Sequence, residues 1–305
     1  MIAEEINLTT QPSLSVFQRM WGCMWRQRSR RVRYPETPRQ DGKVALVTGG
    51  GRGIGLETSR ALLTKGAEVI SASRRRNEKE SHINQLTLDL SDIDSLAGFM
   101  VSLESCLHSR KIDILIANAG FWPHSYNSSR QGHELAFATN VLGHHALIRA
   151  LQKKSLISEC ARVVFVTGDI YITERDCSPD FHFHGPLGGL RAYSRSKLGN
   201  LWQAHEFAKR FPNLRTHAVH PGVAASELSG YSGELAKRLM QAMFISTQEA
   251  AETAVYCSTA KNLATGTYYH NVLGRVELSD QDPGRNAQRS SALWEQLETL
   301  SEIRG

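Results

Sequence analysis

Tyr193 and Lys197, in Tyr-Ser-Arg-Ser-Lys, are the two residues of this chain whose types and spacing suit proton transfer. On a helix, positions i and i+4 share a face, so the ammonium lies beside the phenol. A neighbouring positive charge favours the phenolate and lowers a tyrosine pKa from its ordinary value of roughly 10, which makes the phenol usable as a general acid/base near neutrality. The same spacing also describes a solvated helix face. A second segment narrows the choice: Thr48-Gly49-Gly50-Gly51-Arg52-Gly53-Ile54-Gly55, far upstream. The apolar strand Val44–Val47 runs into these glycines and a helical pattern follows. That order brings backbone N–H groups and a helix N-terminus to a pyrophosphate. Glycine permits a backbone approach that any Cβ would block.

The end of the second strand sharpens the cofactor expectation. Ser71-Ala-Ser-Arg-Arg-Arg76 has no acid where an NAD-selective site sets one against the ribose 2′-hydroxyl. Arg74, with Arg52 in the glycine loop and Arg75 beside it, suits a 2′-phosphate through charge-assisted hydrogen bonds. Taken alone the run is a solvated basic turn; taken with the loop it predicts NADP(H).

The elements that must position these groups follow one another in a regular alternation. Apolar runs at Lys43–Thr48, Glu68–Ala72, Gln85–Leu88, Ile112–Ala117, Arg162–Val166, Thr216–Val219 and Thr267–Tyr269 read as strands. Helical patterns fall at Ile54–Lys65, Ile93–Leu107, Gly132–Gln152, Ala192–Phe211, Glu234–Phe244, Thr247–Ser258 and Ala287–Ile303. Right-handed βαβ crossovers then predict an α/β single-domain Rossmann fold, with a doubly wound parallel seven-stranded sheet and helices on both faces.

A chain of 305 residues with 41% hydrophobic and 22% charged residues can bury a full core. Its five cysteines are scattered without C-x-x-C or zinc spacing, so neither a disulfide framework nor a structural metal is expected, and a reducing, cytoplasmic setting is the simpler reading. Asp180, His182 and His184 lack a well-spaced further ligand, which argues against a metal there too. The formal charge of +6 does not point to nucleic acid, because the arginines concentrate at 19–33 and 74–76 without a nucleic-acid motif. Residues 1–41 read as an extension and linker, with Pro35 and Pro38 near its end, and 42–305 as the cofactor-binding domain. Within the extension Leu14, Phe17, Trp21 and Met24 recur at helical spacing among arginines. Three readings stay open for residues 14–33: an anchor lying on a membrane surface, a stripe docked on the protein itself, or a mitochondrial-type presequence, against which Glu4 and Glu5 weigh. No stretch is long and apolar enough to span a bilayer.

The spacing T-G-x-x-x-G-x-G resembles that of the short-chain dehydrogenase/reductase family. Asp89-Leu90 after the third strand, Asn118-Ala119-Gly120 after the fourth, Asn140 in Asn-Val-Leu-Gly and Pro221-Gly222 after the sixth agree with it. The likeness runs from Lys43 to Ile303, and Ala192–Trp202, His220-Pro-Gly-Val and Tyr268-Tyr269 resemble the retinol dehydrogenase-like group within the family. The resemblance implies Gly49, Gly51, Gly53, Ile54 and Gly55 at the pyrophosphate, Asp89 and Leu90 flanking the adenine, and Asn118, with Ala119 and Gly120, at the adjacent ribose. It also implies Tyr193 and Lys197 at the nicotinamide ribose, and Pro221, Gly222 and Val223 through Ser226 along the nicotinamide.

For catalysis the resemblance implies Tyr193 as acid/base, Lys197 as the group lowering its pKa, and Asn140 as holder of a proton-relay water. The serine that orients the substrate oxygen in the family is missing: in Val166-Thr167-Gly168-Asp169-Ile170-Tyr171 the ungapped register puts Gly168 at its place. Thr167 supplies a hydroxyl if the loop is shifted by one residue. Asp169 would act only if protonated, would recognise a substrate hydroxyl or cation, or would merely cap the turn. The implied activity is NADP(H)-dependent hydride transfer to or from a carbonyl or alcohol, lipophilic by likeness to the group. The glycine keeps open the alternative of an NADP(H)-binding regulatory or scaffold protein, and assembly into a homo-oligomer stays open as well.

The arginine cluster makes the first testable statement. The protein should bind NADPH more tightly than NADH, and Arg74→Ala should narrow the gap; equal affinities in paired fluorescence titrations of the wild type would contradict it.

Overall fold

Buried apolar strands alternating with amphipathic helices can satisfy both faces of a sheet only as a layered sandwich, and the computed structural model shows that arrangement for residues 22–27, 29, 31–185, 187–224 and 244–302. The strands are β1 (Val44–Thr48), β2 (Glu68–Ser73), β3 (Asn84–Thr87), β4 (Ile112–Ala117), β5 (Ile157–Val166), β6 (Arg215–His220), β7 (Thr267–His270) and β8 (Gly274–Val276). They form one sheet in the order β3-β2-β1-β4-β5-β6-β7-β8. The order in which strands are added reverses between β1 and β4, a switch point that opens a crevice at their carboxyl ends.

The sheet has eight strands where seven were expected. β8 pairs antiparallel with β7, Tyr268 opposite Val276, and its three residues are too short to show a period. The seven other strands all run parallel to one another. β1 is buried at every position, as a central strand covered on both faces must be.

The helices are α1 (Cys23–Arg26), α2 (Gly53–Thr64), α3 (Ser95–Leu107), α4 (Leu135–Phe137), α5 (Gly143–Lys153), α6 (Gly188–Arg210), α7 (Thr247–Thr259) and α8 (Ala287–Leu300). One face of the sheet is covered by α3, α5, α6 and α8, through Phe99, Leu147, Leu201, Trp202, Phe207 and Trp294. The other face is covered by α2 and α7, through Leu62, Ala254 and Cys257. The helix expected over Gly132–Gln152 is present but broken. A π-helical turn, Ala138–Leu142, sits between α4 and α5 and contains Asn140. The helix expected at Glu234–Phe244 and the stripe residues Leu14, Phe17 and Trp21 lie outside the described residues.

Residues 31–41, expected as a linker, are laid against the domain. Val32 N–H donates to Asn271 O at 2.7 Å, and the Tyr34 ring stacks on Tyr256 of α7 at 4.4 Å. Lys65 Nζ donates to Thr37 O at 3.0 Å. The prolines near the end of the extension therefore shape a strap, since backbone with no intrasegment ladder must find partners elsewhere. No helix among the described residues is long and apolar enough to cross a membrane.

Gly143, where α5 begins, lies against Leu90: a Cβ there would stand 2.7 Å from the Leu90 Cβ and closer still to its carbonyl oxygen. Gly143→Ala should therefore destabilise the protein by about 1–3 kcal/mol through overpacking, read as a lowered midpoint in chemical denaturation. An unchanged midpoint would mean that the α5–Leu90 contact relaxes freely.

Candidate active site

At the carboxyl end of β1 the chain must turn sharply and start a helix in the same few residues. Gly49 and Gly53 take left-handed φ values of 66° and 56°, and Gly49 N–H donates to Ala72 O at 2.7 Å. Gly55 packs so tightly under the loop that a Cβ would lie 2.9 Å from the Gly49 carbonyl carbon. Ile54 and Gly55 belong to the first turn of α2, whose N-cap, Arg52, contributes no side-chain cap. The orphan N–H groups of that turn are the donors an anion would use. Gly51 reaches the end of β2: a Cβ on it would lie 3.2 Å from Ser73 Oγ. Asn77 Nδ2 donates to Gly51 O at 2.9 Å, which ties the loop holding Arg52 to the turn that carries the exposed Arg74.

The loop is wired to β4 through a single hydroxyl. Thr48 Oγ1 accepts N–H bonds from Asn118 and Ala119, both at 3.0 Å, and Asn118 Nδ2 donates to Thr48 O at 2.9 Å. The Asn118 amide is thus turned toward the glycine loop. His144 completes the junction. Its Nδ1 lies 3.0 Å from Asn140 O, and a carbonyl can only accept, so Nδ1 carries the proton and Nε2 accepts from Thr48 Oγ1 at 2.9 Å. Burial pushes this imidazole down to about 4, keeping it neutral as the tautomer requires. Asp89 forms a tight turn, its Oδ1 accepting Ser91 N–H at 3.0 Å and Ser91 Oγ at 2.7 Å, and Leu90 is buried over α5.

Tyr193 and Lys197 share one face of α6, as their spacing predicts. Lys197 is buried, its Nζ donating to Val166 O at 2.9 Å and standing 5.2 Å from the centre of the Tyr193 ring. Gly120 closes the same pocket, a Cβ there standing 3.6 Å from Lys197 Nζ. The expected lowering of the Tyr193 pKa is not found. The phenol is pushed up to about 12 by burial, and Lys197 is pushed down to about 8 by the same cause. The ammonium faces the ring and a carbonyl, and removing both groups from water outweighs their mutual effect. In this state the phenol is a neutral acid.

Asn140 has every side-chain group engaged. Nδ2 donates to Phe121 O at 3.0 Å and to Ser196 Oγ at 2.8 Å, while Oδ1 accepts Phe121 N–H at 2.7 Å. Here Asn140 is a strut joining the loop after β4 to the Tyr193 helix. The π-helical turn re-aims it for that task, the use to which such turns are often put at functional sites.

The loop after β5 leaves no serine hydroxyl. A Cβ on Gly168 would meet only His220 Nδ1 within 4 Å, at 3.7 Å. Thr167 Oγ1 donates to Lys197 O at 2.6 Å and is buried, so this hydroxyl is spent on the helix backbone rather than on a substrate. Asp169 is buried and accepts from Tyr268 Oη at 2.7 Å and from His270 Nε2 at 2.9 Å. His270 Nδ1 accepts Val272 N–H at 2.9 Å, so Nε2 carries the ring proton. Asp169 therefore anchors the β5 loop to β7, in place of the substrate-facing roles considered for it. His220, whose Nδ1 lies 3.3 Å from Asp169 N, stands within ligand distance of Asp169 and His270. Hydrogen bonds account for the ligand atoms of that trio that they join.

Trp122, which the motif reading passed over, stacks on Tyr193 at 4.9 Å with 10° between the rings. Its only sequence signal is an aromatic pair directly after Asn118-Ala119-Gly120. Phe121 and Tyr126 of the same loop pack with Phe181 and Phe183 of the insert after β5 around Ala136 and Ala192. Pro221, Gly222 and Val223 follow β6, and Ser226 lies outside the described residues.

The family model described as short chain dehydrogenase matches residues 43–175. Over 276 residues the chain is 33% identical to retinol dehydrogenase 12 of Mus musculus, covering 83% of this chain and 84% of that protein. It is 30% identical to the WW domain-containing oxidoreductase of Gallus gallus, covering 85% of this chain and 68% of that one. Among solved structures, an uncharacterised protein from Mycobacterium paratuberculosis superposes with a TM-score of 0.68 at 25% identity, over 88% of this chain and 96% of that one. The angucycline C-6 ketoreductase LanV with bound NADP shares the fold, with a TM-score of 0.60 at 20% identity, over 79% of this chain and 98% of that one.

The buried ammonium has a pH signature. With Lys197 at about 8 in the fold against 10.5 as its ordinary value, the native state binds fewer protons than the unfolded chain between those limits. Stability then rises with pH across that window. Relative to Lys197→Met, the wild type should gain on the order of 3 kcal/mol between pH 7 and pH 10.5 in denaturant titrations. A difference independent of pH would contradict the burial of the charge.

Proposed function

The chain belongs to the short-chain dehydrogenase family of oxidoreductases, and we propose that it moves hydride between NADP(H) and a carbonyl or alcohol carbon of a lipophilic substrate. The observation that carries the reading is the shared face of α6, where a neutral phenol stands over a buried ammonium at the mouth of the sheet.

The residues present suit a nicotinamide dinucleotide. The first turn of α2 lacks a side-chain cap, and nothing lies within 4 Å of where a Cβ on Gly53 would stand. Gly49, Gly51, Arg52, Gly53, Ile54 and Gly55 would hold the pyrophosphate, with Arg52 and Arg74 toward a 2′-phosphate. Asp89, Leu90, Asn118, Ala119 and Gly120 would border the adenosine half, and Pro221 to Ser226 the nicotinamide. When bound, the nicotinamide supplies or accepts the hydride. The chain's own contribution is the proton: Tyr193 gives it to the oxygen of a carbonyl being reduced, or takes it from an alcohol being oxidised. A phenol near 12 is protonated at neutral pH and so is set for reduction. Lys197 supports the phenolate left behind, and Asn140 keeps α6 in register with the β4 loop. Trp122, stacked on Tyr193, favours a lipophilic substrate over a polar one.

Gly168 favours a second reading, an NADP(H)-binding protein with little turnover, because loss of one hydroxyl donor to a forming alkoxide costs about 3 kcal/mol. One experiment separates the two. NADPH oxidation against aldehydes, ketones and quinones should be measurable, should be largely lost in Tyr193→Phe with NADPH affinity retained, and should rise by up to about 100-fold in Gly168→Ser. No turnover on the panel by either the wild type or Gly168→Ser would select the binding protein.

A further inference from the structure

Gln27, in the turn after α1, is buried at 1% exposure although it belongs to the extension. Its side chain clamps one distant residue on both sides: Val223 N–H donates to Gln27 Oε1 at 2.8 Å, and Gln27 Nε2 donates to Val223 O at 3.1 Å. Ile245 N–H also donates to Val223 O, at 3.2 Å, so both lone pairs of that carbonyl are in use. The backbone of Val223 cannot simply turn to serve another group. Gly222 before it holds a φ of 91°, and a Cβ there would lie 2.7 Å from Ile245 Cδ1.

The group that Gln27 presents is a primary carboxamide, one acceptor and one donor in a plane. Nicotinamide carries the same group, and Val223 belongs to the segment proposed to border it. An N–H has one proton, so Val223 can serve only one carboxamide at a time. The strap keeps the internal one at high effective concentration. Arg31 pairs with Glu249 at 3.2 Å and with Glu252 at 3.1 Å, Val32 is bonded to Asn271, and Tyr34 is stacked on Tyr256. We propose that Gln27 is an internal ligand of the carboxamide subsite, and that the N-terminal strap must give it up when the nicotinamide enters. The inference rests on the cofactor reading given above.

The test titrates the full chain and its Gln27→Ala and Gln27→Glu variants with NADPH and with adenosine 2′,5′-bisphosphate, which has the 2′-phosphate but no nicotinamide. An internal competitor predicts NADPH binding about tenfold tighter in Gln27→Ala, and an unchanged affinity for the bisphosphate. Gln27→Glu, which lacks a donor for Val223 O, should also tighten NADPH binding. Unchanged or weaker NADPH binding in both variants, with the bisphosphate still bound, overturns the competition and leaves Gln27 as a clamp that shapes the loop. Absence of binding by either ligand to any of the three proteins overturns the cofactor reading and the inference with it.

Discussion

A lysine ammonium buried among apolar elements has to be held, and the arrangement around Lys197 is organised by that need. Its Nζ takes Val166 O as partner, and Asn200 Nδ2 reaches the same carbonyl at 3.3 Å. Thr167 Oγ1 bonds back to Lys197 O. The end of β5 and the middle of α6 are therefore stitched together by polar groups at the point where the sheet meets the phenol. The cost of holding the charge in low dielectric appears in the Lys197 pKa near 8, and the same burial keeps the Tyr193 proton on its oxygen. Burial thus leaves the phenol neutral beside the ammonium.

A second wire connects that centre to the dinucleotide loop. It runs from Thr48 through His144 to the carbonyl of Asn140, then through the Asn140 side chain to Ser196. Each link is directional, and His144 works only as its neutral Nδ1–H tautomer. The π-helical turn is the feature that lets one residue use its carbonyl toward His144 and its amide toward Phe121 and Ser196. Glycine loop and Tyr193 helix are thus joined by one network, and Asn140 within it is fully buried.

Where the serine of the family pattern is absent, the residue that follows Gly168 is held by β7. Asp169 is drawn onto β7 by Tyr268 and His270, and the His220 ring stands 4.5 Å from His270. The strap meets the same edge, since Tyr34 Oη donates to His270 O at 3.2 Å. The β5 loop, β7 and the extension are consequently one packed unit beside the loop that follows β6.

The architecture was legible in the string of residues. Local signals of period and punctuation placed the strands through β7, the glycine turn, the arginines lacking an opposing acid and the Tyr193–Lys197 pair, because these depend on neighbours within a few residues. Only the tertiary structure decided what each polar group faces. Thr167 points its hydroxyl at Lys197 O, Asp169 is consumed by residues of β7, and Trp122 covers the phenol from a loop that joins β4 to α4. The direction of the Tyr193 and Lys197 shifts also escaped the sequence, since a charge four residues away is visible in a string of letters and the loss of water is not. The docked strap escaped for the same reason: Gln27 and Val223 lie 196 positions apart, and no local pattern encodes a hydrogen bond made across that distance.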